Sequence, residues 1–206
     1  MTLSGSTCAL SNINAPAITG VILAGGLGWR MGGVDKGLQC FAGRPLAAHV
    51  AERLGPQVDE LLINANQNAA AYAALGYPVV ADRIAGFAGP LAGLHAALSV
   101  ARHPLVVTVP CDSPFLPVDL VARLAAALAD GDHVIAIARS AERVHPVFCL
   151  CQRSLAAPLA AFLTAGHRRF GQWLDEQRAS EVLFPDEAAF ANINTVADLA
   201  LLAPRN

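Results

Sequence analysis

Short apolar runs alternate along the chain with helix-like stretches, and this alternation limits the fold more than any other feature of the sequence. The runs are residues 18–24 (ITGVILA), 60–64 (ELLIN), 78–81, 105–109 (LVVTV), 133–138, 146–151 and 181–184. Apolar, often β-branched runs of this length, bounded by turn residues, read as strands buried on both faces. Helical stretches fall between and after them, at residues 45–54, 67–75, 91–101, 117–129, 155–165, 170–178 and 196–202. Strand–helix–strand repetition predicts a three-layer α/β fold: a mostly parallel, twisted sheet with helices on both faces. Residues 133–138 and 146–151 are joined by a short polar connection that cannot hold a crossover helix, so at least one strand is expected to run antiparallel. No linker-like or low-complexity segment interrupts the pattern. The expectation is a flexible leader over residues 1–17 and a single domain over residues 18–206.

Composition then excludes several classes. Of the 206 residues, 54% are hydrophobic and 15% charged, far from the balance of a disordered chain. Lys plus Arg is 14 against 16 for Asp plus Glu, a net charge of -2. A nucleic-acid binder would show a basic excess, so none is expected. The apolar stretches fall far short of the roughly 20 residues that a membrane span needs. Cysteines at 8, 40, 111, 149 and 151 form no C-x-x-C pair and are odd in number. That argues against a disulfide framework or structural zinc site, and for a reducing, cytoplasmic protein. Residues 1–17 have no basic start followed by an apolar core, unlike a secretory signal.

The densest chemistry follows the first predicted strand: Leu23-Ala24-Gly25-Gly26-Leu27-Gly28-Trp29-Arg30-Met31-Gly32-Gly33-Val34-Asp35-Lys36. Glycines in a strand-to-helix loop let backbone N–H groups approach phosphate oxygens, because no Cβ stands in the way. Arg30 and Lys36 add a planar fork and a mobile point charge, which suits a triphosphate. The dinucleotide fingerprint G-x-G-x-x-G fails, since Met31 takes its last position. The P-loop pattern fails too, with Asp35 before Lys36 and Gly37 after it. A second segment, Val109-Pro110-Cys111-Asp112-Ser113-Pro114, ends the most apolar strand. Ligands of open α/β sheets bind beyond the carboxyl ends of strands, and a carboxylate there can hold Mg²⁺. The other reading of Asp112 or Ser113 is a simple turn or helix cap.

These segments resemble the nucleotidyltransferases that attach GMP to the molybdenum cofactor, a Rossmann-like nucleotidyltransferase family. The resemblance rests on L-A-G-G, R-M-G-G and D-K-G in the glycine loop. It extends through Ile63-Asn64-Ala65-Asn66, Asp82, Gly89-Pro90-Leu91-Ala92-Gly93, Pro110-Cys111-Asp112-Ser113-Pro114, His145-Pro146 and Asn192-Ile193-Asn194-Thr195. It implies GTP binding by Leu23, Ala24, Gly25, Lys36, Asn64, Asp82 and Asp112. It further implies Mg²⁺ at Asp112, catalytic roles for Lys36, Arg30 and Asp112, and pterin contacts from Arg30, Gly33, Asn192 and Asn194. The implied reaction is GMP transfer from GTP to the terminal phosphate of molybdopterin, already carrying molybdenum in the physiological substrate, with loss of pyrophosphate. Partners would be GTP, molybdopterin, and proteins of cofactor biosynthesis and molybdoenzyme maturation. Phosphate binding does not choose the base, so cytidylyl transfer to the same pterin, or nucleotidyl transfer to a sugar phosphate, are the alternatives.

The nucleophile of such a reaction is an ionised phosphate, which requires no strong general base. The six histidines (49, 95, 103, 133, 145 and 167) accordingly form no acid/base or metal constellation in sequence. Most read as surface or core residues. His145, beside Pro146, is open to a structural or a substrate-side role, and 167–169 (HRR) to a solvated turn or an anion contact. Cys149 and Cys151 share one face of a strand and read as core, as does Cys111.

Overall fold

The computed structural model describes residues 16–26, 35–84, 89–130 and 132–193. Among them, the first strand is β1 (Ile18–Leu23). A two-residue hairpin, β2 (Cys40–Phe41) and β3 (Arg44–Pro45), leads into α1 (Leu46–Leu54). Then come β4 (Glu60–Asn64), α2 (Ala69–Ala73), β5 (Val79–Val80), α3 (Pro90–Val100) and β6 (Leu105–Pro110). The chain continues through α4 (Leu120–Ala129), β7 (Ile135–Arg139), β8 (Val144–Gln152), α5 (Ala156–Thr164), α6 (Phe170–Glu176) and β9 (Ser180–Leu183). The predicted last helix at 196–202 lies outside the described residues, as do residues 1–15 of the leader.

Seven of these strands form one sheet in the order β5-β4-β1-β6-β8-β7-β9. β1 pairs in parallel with β4 and β6, β4 with β5, and β7 with β9. Only β8 opposes its neighbours, running antiparallel to β6 and β7. The cause is the connection: four residues separate β7 from β8, and Ser140 N–H donates to the Arg143 carbonyl at 2.9 Å to close the turn.

Alternation of side chains across the pleat builds two cores. Ile18 and Ile22 of β1, with Leu105, Val107 and Val109 of β6, face α1, α4 and Tyr72 of α2. Val21 and Leu23, with Val106, face α3, α5 and α6. Cys149 and Cys151 are fully buried in the second core, and Trp173 joins them there. Two predicted helices start later than expected. Residues 117–119 precede α4, whose N-cap is Asp119, and Asn68 takes a left-handed conformation (φ 52°) before α2. Among the described residues no helix is long and apolar enough to cross a membrane.

The order of strands places the site. From β1 the chain moves outward to β4 and β5, then returns to the other side of β1 as β6. At such a reversal the loops leaving the two strands diverge and open a crevice at their carboxyl ends. Register brings Leu23, Asn64 and Pro110 level across three adjacent strands at that edge.

Candidate active site

The crevice begins where β1 ends. Ala24 N–H donates to the Asn64 carbonyl at 2.8 Å, and Cys111 N–H donates to the Leu23 carbonyl at 3.2 Å. The predicted segment Leu23-Ala24-Gly25 is therefore laced between the ends of β4 and β6. Two residues past β6, the Asp112 carbonyl accepts from Ile193 N–H at 2.8 Å, and the fully buried Ser113 hydroxyl donates to Asn192 Oδ1 at 2.6 Å. These bonds tie the Asp112 turn to the exposed Asn192 segment. Asp112 caps no described helix and sets its carboxylate against Lys36; the turn reading holds, with the Ser113 carbonyl accepting from Leu116 N–H at 3.4 Å.

Lys36 re-enters from that loop on a short 3-10 turn, Lys36–Leu38. Its Nζ lies 3.3 Å from Asp112 Oδ2, although the two residues are 76 positions apart. The lysine side chain is 32% exposed and the aspartate 11%, so the pair is partly open to a ligand. Gly37 makes this approach possible. A Cβ there would overlap the Tyr72 hydroxyl and stand 3.2 Å from Cys111 Cβ. Burial, then the negative charges of Asp112 and Asp35, pushes the Cys111 thiol far above the ordinary thiol range. Cys111 is thus a neutral packing residue, not a nucleophile.

A second cluster lies one strand over. Asn64, 2% exposed, donates from Nδ2 to the Val80 carbonyl at 3.1 Å and to Asp82 Oδ1 at 2.9 Å. Asn66 grips the same aspartate twice: its Nδ2 donates to Asp82 Oδ2 at 2.8 Å, and its Oδ1 accepts from Asp82 N–H at 2.8 Å. Its amide also reaches the Gly25 carbonyl at 3.4 Å. Asp82 is so fixed in place as an acceptor with lone pairs to spare. Gly93 of α3 packs against this cluster, where a Cβ would overlap Asn64 Oδ1.

Of the residues expected at the site, Leu23, Ala24, Gly25, Lys36, Asn64, Asp82, Asp112 and Asn192 converge on this edge of the sheet. Arg30, Gly33 and Asn194 lie outside the described residues, as does Trp29. Sequence reasoning missed Asp35, Asn66 and Ser113 as site-building residues. The signal for Asn66 was present, since Asn64 and Asn66 are two apart at a strand end and face the same way. His145 is 7% exposed, stacks on Phe190 with centroids 4.3 Å apart, and has Nε2 2.9 Å from Ser140 Oγ. That is a packing role, which steadies the stretch leading to Asn192. Arg168 spends its guanidinium on the Leu163 and His167 carbonyls, at 2.6 and 2.7 Å, and so closes the end of α5.

Among the described residues no group of three or more His, Cys, Asp or Glu side chains could hold a metal by itself. The donor chemistry nevertheless fits a hard divalent cation that arrives with phosphates. Asp112 offers one carboxylate at the crevice floor, and Mg²⁺ is commonly held by one or two carboxylates plus substrate oxygens and water.

Residues 20–180 match the MobA-like NTP transferase domain. A molybdenum cofactor guanylyltransferase of Ralstonia nicotianae is 52% identical over 197 residues, spanning 91% of this chain and 97% of that protein. The crystal structure of molybdopterin-guanine dinucleotide biosynthesis protein A from Archaeoglobus fulgidus superposes with a TM-score of 0.71 at 23% identity, covering 89% of this chain and 95% of that one. A Mycobacterium tuberculosis H37Rv protein solved in complex with manganese superposes with a TM-score of 0.65 at 23% identity, over 92% of this chain and 98% of that one. A domain match spanning most of the sheet, and a relative identical at half its positions along nearly the whole length, settle the lineage: the chain belongs to the MobA-like NTP transferase family.

Proposed function

We propose that this protein is a molybdenum cofactor guanylyltransferase. It transfers GMP from GTP to the terminal phosphate of molybdopterin and releases pyrophosphate. A phosphate oxygen of the pterin forms the new bond to the α-phosphorus of GTP, and the α–β bridging P–O bond breaks. The observation that carries this reading is the 3.3 Å approach of Lys36 to Asp112 at the carboxyl ends of β1 and β6.

Each residue then has a task that its position suits. Leu23, Ala24 and Gly25 present backbone to the nucleotide, and Asn64 and Asp82 hold it on the β4 side. Lys36 turns its ammonium from Asp112 to the phosphate oxygens and neutralises charge on the leaving pyrophosphate. Asp112 would hold a divalent cation, Mg²⁺ in this proposal; when bound, it supplies charge neutralisation across the α- and β-phosphates. Asn192, its Oδ1 fixed by Ser113, keeps its amide N–H groups for the pterin. Arg30, Gly33 and Asn194 join the phosphate and pterin contacts on sequence grounds. The attacking phosphate is already ionised, so positioning supplies most of the catalysis. Free cysteines at 40, 111, 149 and 151 fit a reducing compartment, and we place the reaction in the cytoplasm.

The test is incubation with molybdopterin, Mg²⁺ and GTP, CTP or UTP in turn. Guanylated pterin and pyrophosphate from GTP support the proposal, whereas a clear preference for CTP overturns it in favour of cytidylyl transfer.

A further inference from the structure

Lys36 is a flexible cation on a four-carbon stem, and its usefulness depends on where the stem is rooted. The root is the residue before it. Asp35 accepts hydrogen bonds on both carboxylate oxygens. The Tyr72 hydroxyl donates to Oδ1, and Asn68 Nδ2 donates to Oδ2 at 3.1 Å. The two donors stand four positions apart, at the start and on the fourth residue of α2. They point at the end of the glycine loop from 33 and 37 residues away in sequence.

Three further observations make this grip more than a surface contact. Tyr72 is fully buried and belongs to the core beneath α1 and α4, so its hydroxyl has a fixed origin. Burial first, and with it the hydrogen bond to Asp35 and that carboxylate's charge, raises the Tyr72 phenol well above its ordinary value, so it stays protonated and remains a donor. The Asp35 carbonyl accepts from Leu38 N–H at 3.2 Å, so holding Asp35 also holds the turn that carries Lys36. The close seat of Gly37 against Tyr72 leaves that turn no room to slide. Hydrogen bonds to a charged acceptor are about twice as strong as neutral ones, which suits a clamp.

We propose that Asp35, clamped by Tyr72 and Asn68, is the positioning residue that aims Lys36 at the nucleotide phosphates. This rests on the phosphate-binding role given to Lys36 above. The clamp acts on the ligand through Lys36, so its loss should be felt by the triphosphate and not by the nucleoside end of the ligand.

The experiment measures GTP and GMP dissociation constants by calorimetry, with Mg²⁺, for wild type, Tyr72→Phe, Lys36→Ala and the double variant. Thermal unfolding of each variant checks that it is folded. Tyr72→Phe keeps ring and charges and removes only the donor. It should weaken GTP about tenfold, the scale of one hydrogen bond to a charged group. GMP should change by less than about twofold. In the Lys36→Ala background Tyr72→Phe should cost nothing further. Equal weakening of GTP and GMP, or full additivity in the double variant, would show a merely structural tyrosine and overturn the clamp. Unchanged GTP affinity in Tyr72→Phe, with Lys36→Ala still impaired, overturns the clamp alone. Unchanged affinity in Lys36→Ala overturns the role given to Lys36, and the clamp with it.

Discussion

Gly93→Ala sets two effects of opposite sign against each other. Gly93 is inside helix α3, where alanine is favoured over glycine by up to about 1 kcal/mol. The site geometry argues the reverse. A Cβ at 93 would overlap Asn64 Oδ1 and stand 3.0 Å from both Asn64 Cγ and Leu23 Cδ2. Neither neighbour is a free end. Asn64 is 2% exposed and bonded to Asp82 and Val80, and Leu23 is 9% exposed. Overpacking of this kind costs about 1–3 kcal/mol. Displacing the Asn64 amide from the Asp82 carboxylate adds about 1.5–3 kcal/mol if that bond is lost outright. After the propensity gain, and allowing for partial relaxation, the net loss is about 2–4 kcal/mol. In a chain of this size that lowers Tm by roughly 5–15 °C. Differential scanning calorimetry reads it, with Gly171→Ala as control. Gly171 lies in α6 with open space at its Cβ position, so its replacement should leave Tm level or raise it. In an Asn64→Ala background, which lacks the obstructing amide, Gly93→Ala should lose most of its cost. A Gly93→Ala protein as stable as wild type, with GTP affinity intact, would refute the claim that Asn64 is held in one place by this contact.

Three further outcomes follow from the same geometry. Asp112→Asn keeps the backbone bond from Ile193 and the shape of the turn, so Tm should barely move, while GMP transfer assayed by pyrophosphate release should fall at least about a hundredfold. Asn66→Ala frees Asp82 from two of its hydrogen bonds and should weaken GTP roughly ten- to a hundredfold in a calorimetric titration, the range expected for a bond to a carboxylate. Burial, then the nearby Arg143 charge, holds His145 below its ordinary value of 6.5, and burial with Arg83 does the same for His95. The unfolded chain therefore binds protons that the folded one refuses, so stability is full above pH 6.5 and falls as the pH drops toward the folded values. Urea midpoints between pH 7.5 and 5 should show that fall, and it should be shallower in His145→Gln; identical slopes would refute it.

The alternation of apolar runs with helical stretches carried most of the architecture, because each strand is buried on both faces and reads as a solid run. β4 falls at residues 60–64 as expected, and the antiparallel β8 follows from a connection too short to cross over. The hairpin of β2 and β3 was not legible, since two-residue strands have no periodicity to detect. Helix starts drifted where a proline or polar residue opened a turn instead of a helix, as at residues 117–119. Within the site, Lys36 was legible as a cation of the glycine-rich loop and Asp112 as a carboxylate past a strand end, and the strand order supplied the contact that their separation hides. Asp35 was not legible as a held residue. Its partners, Asn68 and Tyr72, sit on another connection, and an alanine-rich helix bearing one tyrosine announces packing rather than a grip on a loop. The roles of Asn66 and Ser113 depend likewise on contacts with Asp82 and Asn192 that no local pattern encodes.

The claim on which the account turns is that Lys36 and Asp112 face one triphosphate. A crystal grown with GTP and Mn²⁺, with data collected at the manganese absorption edge, tests it directly. The anomalous peak should lie on the Asp112 carboxylate, with Lys36 Nζ turned onto phosphate oxygens and the base toward Asn64 and Asp82. A nucleotide bound elsewhere, with the Lys36–Asp112 ion pair still closed and no manganese beside it, would contradict the account.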